Sequence, residues 1–204
     1  MAERRFQRYD EGPDAAFYAV PRFVTHIDDA AIGAVADLYE ELGVGGAVLD
    51  LMSSWVSHLR RRPERLTVLG MNAEELAANP MATERVVHDL NVDPTLSFAD
   101  DSFDAVLCCV SIDYLVDPVR VLAEVARVLR PGAPVVVTFS NRCFPTKAVR
   151  AWLETDDAGH CALVVDHLAR AGGFTPARVE RRTPSGRYAG DPLFSVVAEK
   201  ASAT

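Results

Sequence analysis

Polar side chains follow two short apolar runs, where a folded chain could use them for chemistry. Asp50 ends the run 47–49 and is followed by the turn 52–55, Met-Ser-Ser-Trp. Asn72 follows the second run, 66–71, and its amide can both donate and accept hydrogen bonds. If both runs are parallel strands of an open sheet, their carboxyl ends meet where ligands bind. We therefore expect a ligand site over this edge.

Two later strand-like runs are also followed by polar residues. Asp89 and Leu90 follow the strand-like run 84–88, and Val110 and Ser111 come at the end of 103–110. The second of these runs is almost entirely apolar, which is typical of a central parallel strand that is buried on both faces. Its end is therefore expected beside the ends of the other strands.

The order of the elements predicts the fold class. Apolar runs and helical periodicities alternate along the chain, and the last two strands are joined without a helix. The predicted strands lie near 47–52, 66–71, 84–89, 103–110, 133–139, 177–181 and 193–198. This pattern predicts a doubly wound α/β fold with a mostly parallel seven-stranded sheet and an antiparallel last strand. A helix is expected over Trp55–Arg62, directly after the first strand.

Length and charge narrow the function classes. The 204 residues are enough for one domain, with an N-terminal lid and helix over 1–46 and an α/β core over 47–204. A net charge of −8 disfavours nucleic acid as a partner. No apolar run approaches a membrane span, and no apolar segment follows the N-terminus, so we expect a cytoplasmic protein without a membrane partner. The four cysteines form no CxxC pair and are expected to be reduced.

Three passages resemble a known family. They are Asp100-Asp101-Ser102-Phe103-Asp104-Ala105-Val106, then Tyr114-Leu115-Val116-Asp117-Pro118, then Glu124-Val125-Ala126-Arg127-Val128-Leu129-Arg130-Pro131-Gly132. In motifs over about 44–140, and in element order throughout, the chain resembles the class I S-adenosylmethionine-dependent methyltransferases of the small type-11 kind. The resemblance implies a Rossmann-like methyltransferase fold, S-adenosylmethionine as cofactor and a small-molecule methyl acceptor. It carries no information on which acceptor.

The resemblance also implies a set of cofactor-binding positions. Asp50 matches the acid that ends the first strand, and Asp89 matches the acid that accepts from the adenine amine. The implied cofactor-binding residues are Asp50, Met52, Ser53, Ser54, Met71, Asn72, Asp89, Leu90, Val110 and Ser111.

The chain departs from the family at two of these positions. The turn 52–55 stands where the family has Gly-x-Gly, whose glycines allow positive φ and close approach of the backbone. Asn72 replaces an acid that takes the ribose hydroxyls, and it could instead simply cap a helix. These departures motivate a second hypothesis, a catalytically inactive methyltransferase-like module for binding or assembly.

The substrate mouth is expected between the N-terminal segment and the turns after the fourth and fifth strands. Tyr18, Arg22, Asn141 and Arg142 are the predicted substrate-binding residues. His26 and Tyr114 are the predicted catalytic residues, because His26 is the neutral-pH base among the mouth residues. A purely structural role for His26 stays open.

Other chemistry finds less support in the sequence. His58 could face the carboxylate of the cofactor or pack within its helix. Asp113 with Asn141 is thin support for Mg²⁺, so no metal is expected. Cys143 has no histidine next to it in the sequence that would activate it as a nucleophile. A nicotinamide-dependent oxidoreductase would need a G-x-G-x-x-G turn, which is absent after the first strand. A homodimer remains possible.

Overall fold

A single seven-stranded sheet organises the computed structural model, which describes residues 2–186 and 190–202. The strand order is β3-β2-β1-β4-β5-β7-β6. The strands are β1 (Ala47–Leu51), β2 (Arg65–Gly70), β3 (Glu84–Val87), β4 (Ala105–Cys109), β5 (Pro134–Phe139), β6 (Arg178–Arg181) and β7 (Phe194–Glu199). The pairs among β1 to β5 are parallel, whereas β7 is antiparallel to both β5 and β6. The predicted fold class is therefore confirmed.

Helices cover both faces of the sheet. They are α1 (Ala2–Arg5), α2 (Asp14–Phe17), α3 (Asp29–Glu41), α4 (Ala73–Ala78), α5 (Pro118–Val128), α6 (Arg150–Leu153) and α7 (Asp157–Ala171), with a 3₁₀ turn at Ile112–Tyr114. The apolar side of α3 packs on one face, and α5 and α7 pack on the other. Side-chain caps begin several of these helices, as when Asp117 accepts from the Arg120 amide ahead of Pro118. None of the helices in the described part of the chain is long and apolar enough to span a bilayer.

The prediction of a helix over Trp55–Arg62 is wrong, because an irregular loop joins β1 to β2. Its polar groups bond to neighbouring segments instead of forming helical turns. The Asn79 amide donates to the Ser54 carbonyl at 3.1 Å and to the Ser57 hydroxyl at 2.8 Å. His58 has a φ of +53°, which a right-handed helix cannot contain.

The same loop explains the glycine that ends β2. A Cβ at Gly70 would lie 2.2 Å from the Ser53 carbonyl oxygen, and the Ser53 amide donates to the Leu69 carbonyl at 2.7 Å. Only glycine allows the β1 loop to lie this closely over the end of β2.

Residues 6–28, which we call the strap, lie across the carboxyl edge of the sheet. The buried Lys147 holds the first half of the strap, with its Nζ 3.0 Å from carboxylate oxygens of both Asp10 and Asp14. The same nitrogen donates to the Gly12 carbonyl at 2.8 Å, and Arg8 pairs with Asp14 at 2.8 Å. A fully buried cation therefore anchors an otherwise irregular segment.

Candidate functional site

A cavity of about 310 Å³ lies over the carboxyl ends of β1, β2, β3 and β4 and beneath the strap. Its volume falls at the lower end of the range of small-molecule sites, ~300–1,000 Å³. All predicted cofactor, substrate and catalytic residues line this cavity except Asn141. Asn141 is exposed and accepts a long hydrogen bond of 3.4 Å from Ser140. The fold thus brings together predicted residues that are up to 124 positions apart in sequence, as for Tyr18 on the strap and Arg142 after β5.

The turn after β1 forms the floor of the cavity. Met52 has a φ of +55°, so a methionine adopts the left-handed backbone at the first glycine position of the family pattern. Asp50 is buried, and the Ser53 hydroxyl donates to its carboxylate at 2.7 Å. Burial raises the pKa of Asp50 to about 6 in spite of hydrogen bonds from Ser53 and Ser57.

A second strained residue lies at the end of β4. Val110 has a φ of +47°, which is unusual for a β-branched side chain. Its amide donates to the Thr138 carbonyl on β5 at 2.8 Å, which holds this conformation in place. The next residue, Ser111, is buried, with its hydroxyl 3.4 Å from the Cys108 sulfur. Backbone strain at two adjacent strand ends is typical of functional sites.

Asn72 caps α4 and also ties down the strap. Its Oδ1 accepts from the amides of Glu74 and Glu75 at 2.9 and 3.0 Å. Its Nδ2 donates to the carbonyls of Tyr18 and Ala19 at 2.9 and 3.3 Å. The helix-cap interpretation is confirmed, and both ends of the amide are already hydrogen-bonded within the protein.

Asp89 uses one of its carboxylate oxygens within its own turn. Oδ1 accepts from the amides of Asn91 and Val92 at 2.9 and 3.3 Å. Within residues 2–186 and 190–202 its other oxygen has no hydrogen-bond partner, and Leu90 beside it is buried. An apolar wall next to a carboxylate acceptor suits a purine that carries an exocyclic amine.

Aromatic rings surround the mouth of the cavity. The buried Tyr114 hydroxyl accepts from the Phe144 amide at 2.9 Å, and burial raises its pKa. The His26 ring centroid lies 5.2 Å from that of Phe144. The pKa of His26 is lowered chiefly by partial burial and further by Arg22, which together outweigh the opposite effect of the Glu75 carboxylate. The imidazole is therefore neutral at pH 7 and can accept a proton.

His58 faces the cavity rather than a helix interface. It lines the same cavity as His26, and its pKa is lowered by burial and by the nearness of His26. The packing alternative fails because the helix that it required does not form. The two imidazoles are thus neighbouring uncharged groups at the site.

The two arginines of the mouth already contact other groups of the protein. Arg142 bonds Asp191 at 2.8 Å, and Arg22 donates to the Phe17 carbonyl at 2.9 Å while its guanidinium lies 4.6 Å from the Phe17 ring centroid. Asp113 is buried beyond the cavity lining, and burial raises its pKa to about 8. Over the described ranges no cluster of His, Cys, Asp or Glu could hold a metal ion.

Sequence reasoning did not assign several lining residues to the site, among them Trp55, Phe144 and Glu75. Trp55 lines the cavity, but its Nε1 donates to the Val24 carbonyl at 3.1 Å, so the indole joins the strap and leaves the groove open. The Phe144 ring is tilted against that of Tyr114, with ring centroids 5.9 Å apart, and Glu75 lines the cavity from the first turn of α4. The spacing of Glu75 from Asn72 is a capping-box signal, which alone would predict a helix cap rather than a ligand contact.

Comparisons with known proteins agree with this geometry. A family model described as a methyltransferase domain matches residues 41–137. "Methyltransferase GfsG" of Streptomyces halstedii is 31% identical over 137 residues, covering 59% of this chain and 48% of that protein. "Ubiquinone biosynthesis O-methyltransferase" of Aeromonas salmonicida (strain A449) is 26% identical over 121 residues, covering 57% of this chain and 48% of that protein. The chain thus spans about half the length of these relatives.

Solved structures show the same fold at low sequence identity. The [4+2]-cyclase SpnF superimposes with a TM-score of 0.64 at 14% identity, over 93% of this chain and 92% of that one. The 1,6-didemethyltoxoflavin-N1-methyltransferase of Burkholderia thailandensis, solved with S-adenosylhomocysteine, gives 0.62 at 18% identity over 86% and 80%. The chain therefore shares the Rossmann-like fold of these structures. The match of residues 41–137 to a methyltransferase domain agrees with the resemblance found in the sequence.

The cavity residues fit S-adenosylmethionine, although the family pattern is altered. The free carboxylate oxygen of Asp89 can accept from the adenine amine, and the buried Leu90 supplies an apolar contact for the ring. The left-handed backbone at Met52 keeps the conformation for which the family uses glycine. The amide of Asn72, in contrast, has no capacity left for the ribose.

Proposed function

We propose that the protein transfers a methyl group from S-adenosylmethionine to a small-molecule acceptor. The observation that carries the proposal is the strap-covered cavity over four strand ends, which joins the cofactor positions to the aromatic mouth. Enclosure supports catalysis because it positions the acceptor and keeps water away from the reacting atoms. The bound cofactor supplies the electrophilic methyl group.

The chain's own residues divide the remaining tasks. Asp89 and Leu90 hold the adenine, while the turn from Met52 to Ser54 holds the amino-acid end. His26 accepts the proton that the acceptor loses, because its imidazole is neutral at pH 7. Tyr114 positions the acceptor through its hydroxyl, whose orientation is set by the Phe144 amide.

A small acceptor is favoured by the site and by the relatives. Tyr18, Arg22 and Arg142 narrow the mouth, and the net charge of −8 disfavours a nucleic-acid substrate. Two of the matched proteins are a ubiquinone biosynthesis O-methyltransferase and a 1,6-didemethyltoxoflavin-N1-methyltransferase, and both names refer to small molecules. The cytoplasmic location expected from the sequence stays a prediction, and the homodimer stays the open alternative that the sequence left.

A direct assay is the conversion of S-adenosylmethionine to S-adenosylhomocysteine in the presence of fractionated small-molecule extracts. Mass spectrometry of the active fraction should find a compound that has gained one CH₂ unit. His26→Ala should lower turnover by about 10²–10⁴-fold if His26 is the general base, whereas Asn141→Ala, outside the cavity, should not. Equal turnover by wild type and His26→Ala would remove His26 from the mechanism.

The inactive-module alternative rests on one specific observation, the full engagement of the Asn72 amide. A protein that no longer binds the cofactor could use that residue purely as a strap anchor. Absence of binding to both S-adenosylmethionine and S-adenosylhomocysteine would favour this alternative over the enzyme.

A further inference from the structure

The cavity has a carboxylate that none of the cofactor or acceptor roles above uses. In the family pattern an acid at the end of β2 takes the ribose hydroxyls, and Asn72 stands at that position here. Both ends of the Asn72 amide are hydrogen-bonded within the protein, whereas Glu75 also lines the cavity and has been given no role above. It lies one helical turn further along, in α4.

The side chain of Glu75 points away from its expected local partner. With Asn72 as N-cap, a glutamate at this spacing normally reaches back to the N-cap amide. The Glu75 carboxylate instead accepts from the Ser54 hydroxyl at 2.5 Å and from the Arg22 amide at 2.7 Å. It is thus directed between the β1 loop and the strap, and it lines the cavity while only 9% exposed.

This carboxylate has acceptor capacity to spare. A carboxylate offers about four lone-pair sites, and the two donors found here use one site on each oxygen. The remaining sites can accept from a neutral vicinal diol, which gains two charge-assisted hydrogen bonds without bringing a second charge into the cavity. One donor belongs to the β1 loop and the other to the strap. The Glu75 carboxylate is therefore held in position before a ligand binds.

We propose that Glu75, and not Asn72, binds the ribose hydroxyls of the adenosyl ligand. The proposal rests on the proposed function, since it needs an adenosyl ligand in this cavity. It assigns Asn72 to helix capping and strap anchoring, and it moves the ribose acceptor from the end of β2 into the first turn of α4.

The test is calorimetric binding of two ligands, S-adenosylhomocysteine and an analogue that lacks both ribose hydroxyls, to wild type and Glu75→Gln. For the complete ligand, Glu75→Gln should weaken binding about tenfold, because charge-assisted bonds become neutral ones. The analogue has no ribose hydroxyls for Glu75 to accept from. The same substitution should therefore change its affinity less than about threefold.

Two matched variants separate ribose binding from a purely structural role. Ser54→Ala removes a donor to Glu75 and loosens the contact between the β1 loop and α4, yet it should keep the preference of the protein for the complete ligand. Asn72→Asp keeps the helix cap and should bring no ribose-dependent gain in affinity. If Glu75→Gln is too unstable for calorimetry, Glu75→Asp, with its shorter side chain, should show the same selective loss.

The remaining outcomes overturn the proposal in distinguishable ways. If Glu75→Gln weakens both ligands equally, Glu75 only connects the strap to the β1 loop, and the proposed function stands. If Asn72→Asp gains affinity for the complete ligand but not for the analogue, position 72 and not Glu75 is the site of ribose binding. If wild type binds neither ligand, the proposed function fails together with this assignment.

Discussion

Two residues at the cavity floor hold backbone conformations that their side chains disfavour. Met52 and Val110 have φ values of +55° and +47° at the ends of β1 and β4. Such conformations cost about 1–3 kcal/mol each and persist where the surroundings fix them. No local sequence signal distinguishes these positions, because glycine, the residue that would have marked them, is absent.

The strain at Val110 gives a prediction for a pair of variants. Val110→Gly should be more stable than Val110→Ala by about 1 kcal/mol, because glycine adopts positive φ without a steric cost. Both variants lose the valine side chain, so the difference between their unfolding free energies isolates the cost of the positive φ. Urea unfolding of the two proteins measures it. An alanine variant equal to or more stable than the glycine variant would show that Val110 is unstrained.

Asp113 predicts a pH dependence of stability. Burial raises its folded pKa to about 8 from an ordinary 3.8, so its contribution is fully present at acidic pH and is lost as pH rises towards 8. Asp113→Asn removes this loss. The variant should match wild type near about pH 4 and exceed its unfolding free energy by about 2 kcal/mol or more near pH 8.

Urea titrations of wild type and Asp113→Asn at several pH values test this expectation. A difference in unfolding free energy that stays constant across this range would mean that Asp113 does not titrate as described.

At the scale of elements, local patterns predicted the strands and most helices. The apolar runs matched the seven strands to within a few residues, and Asp28, Asn72 and Asp117 cap α3, α4 and α5 as their residue types favour. The loop 52–64 could not be predicted in this way. Its hydrogen bonds reach Asn79 and Leu69, and such distant partners override helical periodicity.

One buried cation anchors the first half of the strap. Lys147→Met leaves the carboxylates of Asp10 and Asp14 without their shared partner, and breaking a buried ion pair costs about 3–5 kcal/mol. The first half of the strap should then open, with faster amide exchange there than in wild type. Hydrogen-exchange mass spectrometry measures this directly.

A surface ion pair supplies the comparison. Arg150→Met breaks the exposed pair with Glu154 and should cost less than about 1 kcal/mol. Its strap should exchange as in wild type. Unchanged protection of the strap in Lys147→Met would mean that Lys147 does not anchor it.

For the whole molecule, the parallel sheet determined which residues meet, and this part of the site was predictable. The carboxyl ends of β1, β2, β3 and β4 share one edge, so Asp50, Asp89 and Ser111 were placed together from sequence alone. The roof of the cavity was not predictable. The contacts of Asn72 with Tyr18 and of Glu75 with Arg22 span more than 50 residues, and no periodicity encodes them.

The central claim is that this cavity binds an adenosyl sulfonium donor and its product. The most direct measurement is isothermal titration of the wild-type protein with S-adenosylhomocysteine, paired with thermal unfolding in its presence. The account predicts saturable binding at one site per chain and a higher melting temperature, equivalent to about 2.7 kcal/mol of stabilisation at a hundredfold excess over Kd. No heat of binding and no thermal shift at millimolar ligand would contradict it.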